Sequence, residues 1–300
     1  VPANPLFLHA STITRFISLS AYLSVFVTSC IFIAAVTNFI NSRNGNITYI
    51  DQYVDRLDGA FFMRVALESM NDSIDLYTFK SDFIKEFSSS LDLKCDFYQE
   101  DKLPKLGVFV SKYDHCLYDI LTQQRSGKLK CEIPFILSNH IDLEYIATQF
   151  DIPFYHVPIT KKTKKEAEIE QLRILTKHKI DCIVLARYMQ IISKNLIDVY
   201  PSKIINIHHS FLPAFPGAKP YHSAFERGVK IIGATSHYVT ETLDSGPIIE
   251  QDIARVSHEH EVLDLINRGQ DLERIVLLRG LKLHCDRKIM VYNNKTVVFT

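Results

Sequence analysis

From Lys105 onward the chain alternates short, largely apolar runs with stretches of helical period, and this alternation restricts the fold more than any other feature. Val108-Phe109-Val110, Ile133 to Leu137, Phe154 to Val157, Ile180 to Ala186 and Ile204 to Ile207 are too short for helices. They are also too continuous for strands with one wet face. Between two of them, Glu166 to Lys179 (EAEIEQLRILTKHK) has the helical period. Strands buried on both faces and separated by helices imply a parallel α/β sheet. In such sheets the ligand crevice lies outside the carboxyl ends of the strands, so chemistry is to be sought where these runs end.

Before Lys105 the pattern differs. Arg15 and Arg43 are the formal charges ahead of Asp51, and Phe16 to Ile40 carries none. By length that run reaches the roughly 20 residues that span a bilayer. Ser18, Ser20, Ser24, Thr28, Ser29, Thr37 and Asn38 interrupt it, which favours a buried strand and helix of a small domain, with the strand around Leu23 to Val27. Asn44-Gly45-Asn46 leads into the β-rich Ile47 to Val54, and Asp58-Gly59 turns into Ala60 to Glu68. Ser81 to Ser90 (SDFIKEFSSS) reads as a short amphipathic helix with Asp82 near its start. Strand, helix, two strands, helix, strand is the split-βαβ plan of small regulatory domains. The polar, proline-bearing stretch Glu100 to Lys105 sets the boundary. The expected organisation is an unassigned segment 1–20, a small domain over 21–102 and an α/β domain over 103–300.

Composition removes several function classes. Of 300 residues, 47% are hydrophobic and 23% charged, which is enough apolar surface for a core and excludes global disorder. Lys+Arg and Asp+Glu both number 34, so no basic excess exists to neutralise a phosphate backbone, and no nucleic-acid partner is expected. The 6 cysteines contain no CxxC pair, which argues for reduced thiols in a reducing compartment. GxGxxG, GxxxxGK[ST], GxSxG and HExxH are absent, so the dinucleotide, P-loop, serine-hydrolase and zinc-helix readings lose their support, and no metal is expected. The Lys161 to Lys165 run reads as a solvated face before a helix, with attraction of an anionic substrate tail as the alternative.

The densest signal is Ile204-Ile205-Asn206-Ile207-His208-His209-Ser210-Phe211-Leu212-Pro213-Ala214-Phe215-Pro216-Gly217. Asn206 and His208 are two apart at a strand's end, so they project from one face. An amide can donate to a developing oxyanion, and an imidazole can move a proton at neutral pH, which suits acyl chemistry. Downstream, Thr242 to Ile249 places Asp244 on a Gly/Pro loop, where it could orient His208 or position a water. A structural Asn, a hydrogen-bonded core His and a turn-forming Asp are the competing reading of the same residues.

The stretch NIHHSFLPAFPGAKPYHSAFERGVKIIGATSHYVTETLDSGPII resembles the formyltetrahydrofolate deformylases, hydrolases within the wider folate-dependent formyltransferase family. The likeness extends over roughly Lys105 to Phe299, and more weakly into the N-terminal half through Gly59 to Arg64. It implies that Asn206, His208 and Asp244 are catalytic and that water is the acceptor, with no cofactor beyond the substrate, 10-formyltetrahydrofolate. Leu185 to Ser193 (LARYMQIIS) is similar to the family's folate-lining strand and loop, which implies substrate contacts at Leu185, Arg187, Tyr188, Met189 and Ile191, together with Gly246. His209 and His237 are read as supporting residues, and Cys116 and Cys182 as core thiols. The implied architecture is an N-terminal ACT-like βαββαβ domain followed by a Rossmann-like formyltransferase domain with a mostly parallel sheet. In ACT domains an Asp- and Gly-bearing loop follows the first strand, and Thr28 to Phe39 carries neither residue.

The same resemblance implies a cytoplasmic homo-oligomer without a membrane partner, or a mitochondrial one if the acid-free N-terminus is a transit-peptide remnant. Two other functions stay open at this point. An amine-directed formyltransferase of the glycinamide ribonucleotide type would need a phosphate cradle after the first strand of the catalytic domain. There the chain reads Val110-Ser111-Lys112-Tyr113-Asp114-His115-Cys116, with no glycine and an acid added. A folate sensor without turnover would not need the Asn206, His208 and Asp244 set.

Overall fold

The computed structural model describes residues 6–13, 19–69, 75–87, 93–214 and 220–300. The chain divides into two compact units, Val1–Lys102 with Val297–Thr300, and Leu103–Thr296.

The first unit runs β1 (Leu6–Ile13), α1 (Leu19–Ser42), β2 (Gly45–Asp55), β3 (Ala60–Ser69), α2 (Leu76–Phe87) and β4 (Leu93–Gln99). Its sheet has the order β2-β3-β1-β4 and pairs antiparallel throughout. Phe61, Met63, Val65 and Leu67 alternate along β3 and bury against Phe32, Val36, Phe39 and Ile40 of α1 and Phe79, Phe83 and Phe87 of α2. A period of two on the strand thus meets the helical period on both helices. Phe39 sits edge-on to Phe79 and Phe83 at 5.2 and 5.3 Å, a geometry that aromatic quadrupoles favour. This is the ACT-like βαββαβ arrangement.

Two local expectations are corrected. Leu23 to Val27 is helical, inside α1, and the first strand lies at Leu6–Ile13 in the segment the sequence left unassigned. An apolar run without Gly or Pro is ambiguous by periodicity, and its length favours a helix. The connection between β1 and α1 falls at 14–18, outside the described residues. The second helix begins at Leu76, ahead of Ser81, because the Asp75 carboxylate accepts from the Thr78 amide at 2.8 Å and caps it. Ser88 to Ser90 lie outside the described residues. Among the described residues no helix is long and apolar enough to cross a membrane.

The second unit runs β5 (Lys105–Val110), α3 (His115–Arg125), β6 (Glu132–Ser138), α4 (Glu144–Gln149), β7 (Phe154–His156), α5 (Lys164–Lys177), β8 (Cys182–Leu185), α6 (Lys194–Val199), β9 (Ile204–His208), α7 (Pro220–Glu226), β10 (Ile231–Tyr238), β11 (Ile248–Arg255) and α8 (Val262–Cys285). A two-stranded sheet of β12 (Ile289–Tyr292) and β13 (Lys295–Val298) follows. The main sheet has the order β11-β10-β9-β8-β5-β6-β7. Strands β5 to β9 pair parallel, and β10 runs antiparallel to both β9 and β11. The expected runs all form strands, and the expected helix is α5.

Burial on both faces explains the continuous apolar runs. Along β8, Cys182 and Val184 join a core with α3 and α8, while Ile183 and Leu185 join a second core with α5 and α6. Each fully buried aliphatic side chain is worth roughly 1.5–3 kcal/mol. Helix α8 starts with a capping box in which Asp264 accepts from the Glu261 amide at 2.9 Å. The order β9-β8-β5 brings the loops leaving three parallel strands to one rim of the sheet.

Candidate active site

Asn206 and His208 project from the last turn of β9, as their spacing requires. Strand β10 lies antiparallel beside them, with His237 directly opposite Asn206 and Thr235 opposite His208. Directly opposed residues on antiparallel strands hold their Cβ atoms about 4.5–5.5 Å apart, within reach of a side-chain hydrogen bond. The register of β10 against β11 shifts between Ser236 and His237, a bulge of the kind that re-aims a side chain.

The hydrogen bonds assign the tautomers. His237 Nδ1–H donates to the Tyr238 carbonyl at 2.9 Å, which leaves Nε2 as the acceptor for Asn206 Nδ2 at 3.2 Å. Burial holds the His237 pKa below its usual value, against the raising effects of the Tyr238 carbonyl and Asp244, so the ring stays neutral. Asn206 Nδ2 keeps a second hydrogen for a ligand. His208 Nδ1 lies 3.3 Å from Asp244 Oδ1, and its Nε2 is buried without a hydrogen-bond partner. The hydrogen bond to His208 holds the Asp244 carboxyl below the usual range, with His208, His237 and His209 adding to it, so it is ionised at neutral pH.

The loop between β10 and β11 carries Asp244 with φ of 52°, in the left-handed region. Gly246 lets that loop close, since a Cβ there would stand 1.8 Å from the Tyr238 carbonyl oxygen. The Tyr238 amide then donates to the Pro247 carbonyl at 2.9 Å. On the other side, Thr235 Oγ1 donates to the Ser210 carbonyl at 2.9 Å and accepts from the Leu212 amide at 3.1 Å, pinning the loop after His208.

The residues of the 185–193 segment divide. Leu185 and Tyr188 are buried in the core, where Gln171 donates to the Tyr188 hydroxyl at 2.9 Å. Met189 and Ile191 have exposed side chains, and the Met189 amide donates to Ser111 Oγ at 3.0 Å. Arg187 has φ of 61°, is buried, and lies with Nε 3.3 Å from Glu273 Oε2, an ion pair by distance without a directional hydrogen bond. Its guanidinium sits 4.8 Å over the Tyr113 ring.

Glu273, wholly buried on α8, was not singled out from sequence, where it looks like any acid on an amphipathic helix. It pairs with His115 Nε2 at 2.8 Å and accepts from the Tyr221 hydroxyl at 2.7 Å. Burial would raise its carboxyl, but the His115 hydrogen bond and the Arg187 charge hold it below the usual range. The ring of His209 lies 5.0 Å from that of His208 and 6.0 Å from that of Tyr221. Burial, with Arg187 and His208, lowers the His209 pKa to about 4. Ligand atoms of His115, Cys116 and Glu273 lie within 4.8 Å of one another. Glu273 is engaged within the protein by the Tyr221 hydroxyl, by His115 and by the Arg187 charge. Cys116 and Cys182 are core thiols.

The profile described as formyl transferase matches residues 104–281, the stretch that holds the strand-end amide and imidazole, the loop carboxylate and the mostly parallel sheet. A Synechocystis formyltetrahydrofolate deformylase is 50% identical over 267 residues, covering 89% of this chain and 93% of that one. The crystal structure of a formyltetrahydrofolate deformylase from Pseudomonas syringae pv. tomato superposes with a TM-score of 0.90 at 40% identity, over 100% of this chain and 95% of that one. Glycinamide ribonucleotide transformylase 1 from Symbiobacterium toebii gives a TM-score of 0.63 at 26% identity over 68% of this chain and 97% of its own. The chain belongs to the formyltetrahydrofolate deformylase family of formyl transferases.

Proposed function

We propose that this protein hydrolyses 10-formyltetrahydrofolate to tetrahydrofolate and formate, with water as acceptor and no cofactor beyond the folate itself. The observation that carries the reading is His208: Nδ1 is tied to an ionised Asp244 while Nε2 is buried and unpartnered.

Water adds to the formyl carbon and gives its proton to His208 Nε2. The carbonyl becomes an oxyanion that takes the free hydrogen of Asn206 Nδ2. One such donor lowers a barrier by about 2.7–4 kcal/mol. The Asp244 carboxylate stabilises the imidazolium formed on His208, following the logic of a carboxylate-backed histidine. Collapse breaks the bond to the folate nitrogen, which takes the proton back from His208 Nε2. The formic acid released ionises in solvent. His237 keeps the Asn206 amide turned towards the reacting oxygen.

Two features support water over an amine acceptor. The turn after β5, where a transferase would need bare backbone amides, carries Tyr113 under Arg187 and His115 bonded to Glu273. The whole-length likeness is to deformylases, whereas the transformylase likeness is partial. We further propose that segment 185–193 and Gly246 line the folate side, that the first unit is regulatory, and that the protein is a cytoplasmic homo-oligomer.

The test is formate release by purified protein given 10-formyltetrahydrofolate, with and without glycinamide ribonucleotide. Formate should appear without the amine. Turnover only when the amine is present would replace the hydrolase with a transferase.

A further inference from the structure

The segments that leave β5, β8 and β9 all reach one side chain. His115 opens α3 after β5, Arg187 begins the turn after β8, and Tyr221 stands on α7 after β9. Each reaches the carboxylate of Glu273, at 2.8, 3.3 and 2.7 Å respectively. Glu273 is 0% exposed and sits on α8.

The surroundings are shaped for these contacts. A Cβ at Gly269, one turn earlier on α8, would stand 2.1 Å from the Tyr221 hydroxyl, so the missing side chain admits the tyrosine. Arg187 holds a left-handed backbone at φ of 61°, a region that residues other than glycine populate sparsely. From that residue the chain turns to put the Met189 amide on Ser111 Oγ, which in turn donates to Asn139 Oδ1 at 2.7 Å. The β5 and β8 loops are therefore joined twice, once at Ser111 and once through Glu273. On the β9 side, the Tyr221 ring borders His209, the neighbour of His208.

We propose that Glu273 is a positioning residue for the folate reaction: it touches no reacting atom, and it locks the three loops into the one relative arrangement that receives substrate. This rests on the hydrolase reading given above. A carboxylate with two hydrogen bonds and one ion pair, each to a separate loop, pre-arranges a site that would otherwise lose binding energy to ordering those loops. Its loss should therefore appear in substrate binding before it appears in turnover.

The experiment compares Glu273→Gln, Tyr221→Phe, Arg187→Gly and the Glu273→Gln/Arg187→Gly double variant. KM and kcat come from formate release, and the tetrahydrofolate Kd from calorimetry, well below each thermal midpoint. Glu273→Gln should raise KM and Kd about tenfold while kcat changes less than about threefold. Arg187→Gly keeps the turn, because glycine takes that φ freely, and the double variant should bind no worse than the weaker single one. If Glu273→Gln does not fold, Tyr221→Phe leaves the charge pair intact and should still raise KM by about threefold.

Unchanged KM and Kd in folded variants would overturn the proposal and make Glu273 purely structural. A large fall in kcat at constant KM would overturn it too and move Glu273 into the chemistry. Multiplying losses in the double variant would show that the two residues act separately. A wild-type chain that binds tetrahydrofolate but releases no formate would remove the hydrolase reading, and the Kd ratios would still decide the role of Glu273.

Discussion

His208 Nδ1 meets Asp244 Oδ1 at 3.3 Å although the two residues stand on different elements, one ending β9 and the other in the loop after β10. The contact fixes which nitrogen of His208 carries hydrogen and leaves the other bare. Asp244→Asn should therefore reverse the tautomer preference and lower kcat by about 10³–10⁴-fold, as losing the carboxylate behind a catalytic histidine does elsewhere. Formate release at saturating substrate measures it. Activity within tenfold of wild type would remove Asp244 from the chemistry.

His237 Nε2 accepts from the Asn206 amide. In His237→Phe the Asn206 amide loses its acceptor and is free to rotate, and kcat should fall by about 10²-fold, close to the loss of an oxyanion donor itself. His237→Gln offers a carbonyl oxygen at a similar reach and should recover part of that loss. Steady-state kinetics on the pair checks the idea, and equal activity of the two variants would sink it.

The Gly246 position tolerates no side chain. Gly246→Ala would drive a methyl into the Tyr238 carbonyl oxygen, so the loop must shift and carry Asp244 with it. A drop in kcat of at least about 10²-fold, with a lower thermal midpoint, is the expected result. An unaltered midpoint with full activity would contradict the close approach.

Acid should weaken the fold through buried neutral histidines. His209 has its pKa lowered to about 4 and His284 to about 3, burial being the first cause in both, with Arg187 and Arg287 respectively the next. Below the unfolded value of about 6.5 the unfolded chain binds the protons that the folded chain refuses, so stability is full above that pH and falls on acidification towards pH 4 and 3. Urea midpoints near pH 7.5 and pH 4.5 should differ accordingly, and His209→Gln should shrink the difference. A flat profile over that window would show that both rings are solvated.

Much of this was legible from sequence. Unbroken apolar runs give away strands buried on both faces, and Asn206-Ile207-His208 states its own geometry because side chains on a strand alternate. The full extent of the first helix was not legible, since Phe16 to Ile40 carries no Gly or Pro to mark where an element begins or ends. Its buried positions, Phe32, Val36, Phe39 and Ile40, become evident only against the β3 face that covers them. His237 was classed as a supporting residue, and its partner is set by the register of two antiparallel strands, which no local motif encodes. Glu273 escaped for a similar reason. The sign that could have found it is Gly269, one turn earlier on the same helix.

The reversal of β10 within an otherwise parallel sheet has a consequence for how the site can vary. The distance between Asn206 and His237 is set by the spacing of hydrogen-bonded strands, about 4.8 Å, and not by the chain that joins them. Changes in the length of the connection from β9 to β10 can therefore leave the amide and the ring in register. A slip of one residue between β9 and β10 is the opposite case. It would set Ser236 or Tyr238 against Asn206 and turn the imidazole to the far side of the sheet, ending the chemistry while every residue remained in place.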